Sequence, residues 1–237
     1  TLQDFEAVIR LDPALVARLL TLVNSSYFGL TRKVDSISRA VALLGMKNLH
    51  NIAVTDAIQG MLRSHSGAAE FDPQRLWMHS AASGICCKMI AERIFMINGD
   101  DAYLCGILHD IGLIVEMVAD QETFLQLTEQ LVVGGPCIVA LELHLFQTDL
   151  CQIGYWLAKE WRITDPIAEA IRDHHEEDNG TITPQSPTGI LQMSEYIIQQ
   201  LHFSAIKEGL GCTLTPSLAA HIQANGEEYT VLAEDLP

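Results

Sequence analysis

The stretch Leu104-Cys105-Gly106-Ile107-Leu108-His109-Asp110-Ile111-Gly112-Leu113-Ile114-Val115-Glu116-Met117-Val118 decides how this chain is read. It is the greasiest segment of the sequence, yet it carries His109, Asp110 and Glu116. Ionisable groups among such neighbours are costly to bury unless they are paired or hold a metal. The same three residues interrupt the run, so no apolar stretch is expected to reach the roughly 18–20 residues of a membrane span. The pattern predicts one buried helix, Asp101–Val118, with the His-Asp pair inside it.

Working outward, the periodicity is helical nearly throughout. Leu11, Leu15, Leu19, Leu22 and Val23 recur at three-to-four spacing behind Asp12-Pro13, an N-cap and first-turn proline. Ser36 can cap a helix whose stripe is Ile37, Val41 and Leu44, and Gly45 reads as its stop. Lys47-Asn48-Leu49 opens the next, towards Met61. Arg63–Asp72 is polar and rich in small residues, and reads as a linker. Helices follow at Pro73–Met96, Asp101–Val118, Asp120–Val133, Cys137–Phe146, Asp149–Trp161, Pro166–His174, Gly189–Phe203 and Ser217–Asn225. Beta-branched alternation with hairpin turns is scarce, so the expected fold is all-α. The expected divisions are 1–66 for an N-terminal helical subdomain, 67–205 for a second helical bundle and 206–237 for a C-terminal extension.

Composition narrows the function classes. The chain has 237 residues, 49% hydrophobic and 19% charged, which excludes a disordered or low-complexity protein. Net charge is −16, unevenly spread. Residues 1–93 carry 10 basic and 8 acidic side chains, whereas residues 94–237 carry 4 and 22. Such an acidic half repels phosphate backbones, so nucleic acid is not an expected partner, nor is a membrane. No secretory leader is expected at Thr1. Cys86, Cys87, Cys105, Cys137, Cys151 and Cys212 show no CxxC pair or zinc-ribbon spacing. They read as reduced, mostly buried side chains of a cytoplasmic protein.

The histidines carry the candidate chemistry. His79 lies 30 positions before His109 on another helix, His174-His175 ends a third, and Glu195 sits on the last long helix. Imidazoles and carboxylates on facing helices are how a bundle builds a metal site. The same residues also admit a structural reading. His109-Asp110 can form a polar knot with His79, and His174-His175 can offset a helix dipole. His50, His65, His144, His202 and His221 are read as structural.

Taken together, His79 and Gly106-Ile107-Leu108-His109-Asp110-Ile111-Gly112 resemble the core of the HD superfamily of metal-dependent phosphohydrolases. The N-terminal part resembles the HDOD domain, the HD-related output domain of bacterial signalling proteins. Its matching pieces are Asp12-Pro13, Leu22-Val23-Asn24-Ser25-Ser26-Tyr27-Phe28-Gly29, Ser36-Ile37, Leu44-Gly45, Leu76-Trp77-Met78-His79-Ser80 and Gly154 through Trp161. The resemblance implies an N-terminal bundle followed by an HD-like bundle. It implies metal ligands at His79, His109, Asp110 and Glu195, with His174 and His175 as further candidates. The ion would be a divalent transition metal: Fe, Mn, Ni or Zn. Glu195 stands where Asp is expected, and its extra methylene shifts the oxygens by about an ångström or more.

The related HD-GYP phosphodiesterases imply a lysine where Leu113 stands and a middle histidine where Leu150 stands. The expected function is therefore a non-catalytic regulatory module with protein partners in a signalling pathway. The alternative is a phosphohydrolase acting on a nucleotide or phosphodiester, with Asp110 bridging or orienting the nucleophilic water. A third is an inactive domain whose ion ties helices together. In the Asn24–Gly29 block, Asn and Ser are expected to satisfy backbone groups at a helix end, and Tyr27-Phe28 offer a contact surface as the alternative.

Overall fold

The structure, a computed structural model, describes residues 16, 17, 20, 21, 23, 24, 33–63, 71–131, 135–176, 180, 182–204 and 214–236. Among them the regular elements are helices. In chain order these are α1 (Ile37–Leu44), α2 (Met46–Arg63), α3 (Pro73–Met89), α4 (Asp100–Leu108), α5 (Ile111–Ala119), α6 (Gln121–Gln130), α7 (Ile138–Leu145), α8 (Leu150–Glu160), α9 (Asp165–Asp173), α10 (Pro187–Gln200), α11 (Pro216–Ala224) and α12 (Gly226–Glu234). The chain forms two compact units, Thr1–Met61 and Leu62–Pro237.

The first unit has its own core of Val23, Val34, Ile37, Ala40 and Leu49. Ser36 caps α1 by accepting from the Arg39 N–H, and Gly45 ends it at φ 80°, a conformation costly to most other residues. Asn24 satisfies backbone groups as expected. Its Oδ1 accepts from Val34 N at 2.7 Å, and its Nδ2 donates to the carbonyls of Leu20 and Val34. The rest of that block, Ser25–Gly29, lies outside the described residues, as do the Asp12-Pro13 cap, His65 and Cys212.

In the second unit, Asp72 caps α3 by accepting from Gln74 N, with Pro73 in the first turn. The helix buries Leu76, His79, Ser83, Cys86 and Cys87. α4 lies against it at unusually short range. A Cβ added to Gly106 would sit 2.5 Å from the Ser83 backbone. Likewise a Cβ on Gly112 would sit 2.1 Å from the Leu150 carbonyl oxygen, so α5 meets the start of α8 backbone to backbone. α10 packs on α3 and α4, and α9 packs on α4, α8 and α10. α11 and α12 belong to this unit, held by buried Leu218, Tyr229 and Leu232.

Three expectations are corrected. The helix expected over Asp101–Val118 is two helices, with His109-Asp110 at the joint. Asp110 leaves helical geometry at φ −95°, ψ 15°, and its carbonyl accepts from Leu113 N. The apolar pattern hides this break because both helices are core elements. Second, Asp100–Ala119 is long and apolar enough to cross a membrane by length and composition, since the histidine and acidic residues within it barely lower its mean hydropathy. The segment is 78% buried inside the protein, which is how a core element reads. Third, α3 ends at Met89 and continues as one π-helical turn, Ile90–Ile94.

A buried carboxyl pair escaped the sequence reading. Glu116 of α5 is 2% exposed and Glu142 of α7 is 0%. Glu142 Oε2 accepts from Leu150 N at 2.9 Å, capping α8. Taken as ionised, both Glu116 oxygens and Glu142 Oε1 lack any donor. A proton retained on each carboxyl supplies it. Burial pushes Glu116 up to about 8 and, with the Glu116 charge beside it, Glu142 up to about 10.

The sign of the pH effect follows. An unfolded glutamate ionises near 4.5, whereas folded Glu116 keeps its proton until about 8. The stabilisation is complete below pH 4.5, declines across the interval and is lost above it. Thermal melts from pH 5 to 8 are expected to show falling stability, and Glu116→Gln is expected to flatten the fall; an undiminished slope in that variant would argue against a proton retained on Glu116. Gly106→Ala is expected to cost about 1–3 kcal/mol in urea unfolding, because α3 and α4 must separate. Gly60→Ala, where nothing lies within 4 Å of the added Cβ, should be neutral or stabilising.

Candidate metal centre

Four segments supply the site. His79 projects from α3, His109 and Asp110 from the α4–α5 joint, Glu195 from α10, and His174-His175 from the turn after α9. The backbone orients the rings. The Nδ1 of His79 pairs with the Phe203 carbonyl at 2.8 Å, that of His109 with Gly106 at 2.8 Å, and that of His174 with Ile171 at 2.7 Å. A carbonyl only accepts, so each Nδ1 carries the proton and each Nε2 is left for the centre.

These Nε2 atoms converge with the carboxylates. His79 and His109 Nε2 are 3.1 Å apart. Asp110 Oδ2 is 3.3 Å from the first and 3.2 Å from the second. Glu195 Oε2 is 3.2 Å from His79 Nε2, and its Oε1 is 3.5 Å from His109 Nε2. His174 Nε2 stands one shell further out, 3.9 Å from Asp110 Oδ1. All of these residues are buried, Glu195 the least at 9% exposure. His175 belongs to a different neighbourhood. Its ring lies against that of His174, and it lines a cavity of about 170 Å³ with Cys151, Asp149, Asp173 and Glu176.

Glu195 reaches the centre despite its extra methylene because Ser83 Oγ donates to Oε1 at 2.6 Å. Ser194 Oγ in turn donates to the Ser83 carbonyl. Neither serine was singled out from the sequence. Ser83 had a readable signal: it lies four residues after His79, on the same face of α3. Cys151 was read as a buried hydrophobe, and nothing in the sequence links it to His174, 23 positions away.

Electrostatics sort the groups into two sets. Burial opposes charge on His79, yet Glu195 and Asp110 outweigh it and hold its pKa well above the usual range. His109 is raised in the same way, by Asp110 and then Glu195. Burial resists ionisation of Asp110, but His109 and His79 hold it well below the ordinary carboxylate range. Glu195 is held down to about 2 by His79 and His109 against its own burial. Burial instead depresses His174 and His175, leaving both imidazoles neutral.

The donors fit a divalent cation. An ion bonded to imidazole nitrogen at about 2.0–2.1 Å sets donor–donor edges of roughly 2.9–3.4 Å. The edges of 3.1, 3.2 and 3.3 Å fall in that window. Both oxygens of Asp110 and the Nε2 of His174 are buried without a hydrogen-bond partner, as expected of groups meant for a cation. His79, His109, Asp110 and Glu195 would hold the ion. Once bound, such an ion polarises a phosphoryl oxygen and acidifies water.

Known proteins share the fold. The model of the HDOD domain family matches residues 1–177. An uncharacterized protein of Treponema pallidum (strain Nichols) is 31% identical over 179 residues, or 73% of this chain, and the chain spans about a third of that protein's length, 33%. Among solved structures, an HDOD domain protein from Geobacter sulfurreducens superposes with a TM-score of 0.62 at 22% identity, covering 100% of this chain and 87% of that one. A candidate phosphohydrolase from Shewanella amazonensis SB2B gives 0.66 at 24%, covering 100% and 88%. The MmoQ response regulator of Methylococcus capsulatus str. Bath gives 0.58 at 21%, covering 98% and 89%. The structural likenesses carry the fold, and the family model covers residues 1–177, well over half of the sequence: this chain belongs to the HDOD family.

Proposed function

We propose that this HDOD chain is a regulatory output module that acts through protein partners, and that its His-Asp cluster ties the bundle together instead of hydrolysing phosphate esters. One observation carries the reading. Leu113 and Leu150, both 0% exposed, place hydrocarbon where the resemblance to phosphodiesterases implies a phosphate-facing lysine and a further ligand. The neighbouring cavity supports it. Asp149, Asp173 and Glu176 line that space with Arg172, whose guanidinium is held by Asp173 and lies over Tyr155. An anionic substrate meets carboxylates there and no free guanidinium. The response regulator among the structural relatives is in keeping with a signalling role, and a cytoplasmic, bacterial setting suits the buried, unpaired Cys86, Cys87 and Cys105.

A phosphohydrolase is the second reading, favoured by one specific feature. His79, His109 and Asp110 keep donor geometry suited to a divalent ion. In that case Asp110 would orient the attacking water, and the neutral His174 beside it would take up its proton.

Two measurements separate these readings. Purified protein supplied with Mn, Fe or Ni is expected to turn over bis-p-nitrophenyl phosphate and cyclic dinucleotides no faster than His109→Ala. A metal-dependent rate lost in that variant would establish the enzyme instead. Asp110→Ala is expected to lower stability by about 1–3 kcal/mol, because it strands two imidazoles in the core. Superimposable melting curves would remove the structural role.

A further inference from the structure

On the far side of His174 lies a second group of donors that the His-Asp cluster does not use. Cys151 occupies the first turn of α8, directly after its cap Asp149. Its Sγ is 3.7 Å from His174 Nδ1. The donor atoms of Cys151, His174 and His175 all lie within 4.8 Å of one another. His175 Nε2 is buried and makes no hydrogen bond. Cys151 and His175 both reach the cavity of about 170 Å³, whose wall adds Asp149, Glu176 and Asp173, the last paired with the one cation among the described lining residues, Arg172. The His79 cluster is a closed set of nitrogen and carboxylate donors, whereas this one contains sulfur and opens on an acidic space.

We propose that Cys151, His174 and His175 form a second cation site, thiolate-containing and selective for a soft d¹⁰ ion of the zinc class. Thiolate and imidazole together favour such ions over magnesium, calcium or manganese. Three protein donors leave a fourth tetrahedral position, which a cavity water or the Glu176 carboxylate can fill. Binding displaces the thiol proton of Cys151 to solvent, and the sulfur lone pair goes to the ion. At His174 the ion takes Nδ1 in place of the Ile171 hydrogen bond. The ring proton then resides on Nε2, facing Asp110 Oδ1, an oxygen that has no donor now. A filled sulfur site therefore withdraws the His174 lone pair from the His-Asp centre. The proposal stands apart from whether the chain hydrolyses anything.

Cobalt(II) tests it, because a cobalt–thiolate bond gives a charge-transfer absorption that nitrogen and oxygen ligands do not. The full chain, stripped of metal with a chelator, is titrated with cobalt(II) chloride and then with zinc chloride. A near-ultraviolet charge-transfer band is expected in the unmodified chain and in His109→Ala, bleached by zinc and absent from Cys151→Ser. Zinc affinity, measured by competition with a chromophoric chelator, is expected to fall about tenfold or more in His175→Gln. That residue is partly exposed, so the variant folds even where Cys151→Ser fails to. No charge-transfer band in the unmodified chain would overturn the site. So would a band that survives Cys151→Ser, or zinc affinity unchanged in His175→Gln.

Discussion

Two carboxylates, Asp110 and Glu195, are held in the interior of a helical bundle, and the second unit is arranged around the charge they bring. An unpaired carboxylate at this depth costs several kcal/mol. Each Nδ1 of His79 and His109 is already committed to a backbone carbonyl. Compensation must therefore come through the two Nε2 atoms, either as protons or as an ion that replaces them. Two imidazolium protons and one dication carry the same charge, so the cluster is neutral in either state. This is why the histidines are driven towards protonation when nothing else is bound. It also means that metal binding here exchanges protons without altering the net charge of the core.

Bringing those groups within 3.5 Å constrains the backbone more than the side chains. His109 can face His79 only because Gly106 lets α4 lie on Ser83 of α3. That approach also leaves Ser83 Oγ free to hold Glu195. On the other side, Gly112 lets α5 meet Leu150, whose N–H is capped by Glu142, the buried carboxyl partner of Glu116. The two glycines and the two buried polar networks thus fix one geometry. Polar groups satisfied in only one arrangement make alternatives expensive, and this specifies a unique core better than apolar packing alone.

Much of the helical plan was legible in the sequence because periodicity, caps and breakers agree. Ser36 and Gly45 mark α1, and Pro73 opens α3. The residues of the centre were legible from their type and the motif around them. What was not legible is long-range. The joint at His109-Asp110 is invisible to periodicity, because both flanking helices are buried and the apolar pattern runs straight through. Glu116 read as a flaw in a greasy helix, since its partner lies 26 positions later on an element packed only in three dimensions. The doubt over Glu195 rested on its extra methylene; Ser83, one helix away, supplies the anchor that no local pattern encodes.

The charge asymmetry of the chain gains a physical meaning at the site. No Lys or Arg occurs between Phe95 and Ala158, the segment that builds α4 to α7 and α8 up to its last turn. The field there favours cations and opposes phosphates. In a hydrolase of phosphate esters, the ion and its surroundings share the work, with nearby cations neutralising the charge that develops on the leaving oxygens. Here the ion would face Asp149, Asp173 and Glu176, and the nearby Arg172 is already paired with Asp173. The same field costs a bound ion nothing and strengthens its hold. A bundle that attracts cations and buries the donors that would hold them fits the structural role proposed for its His-Asp cluster.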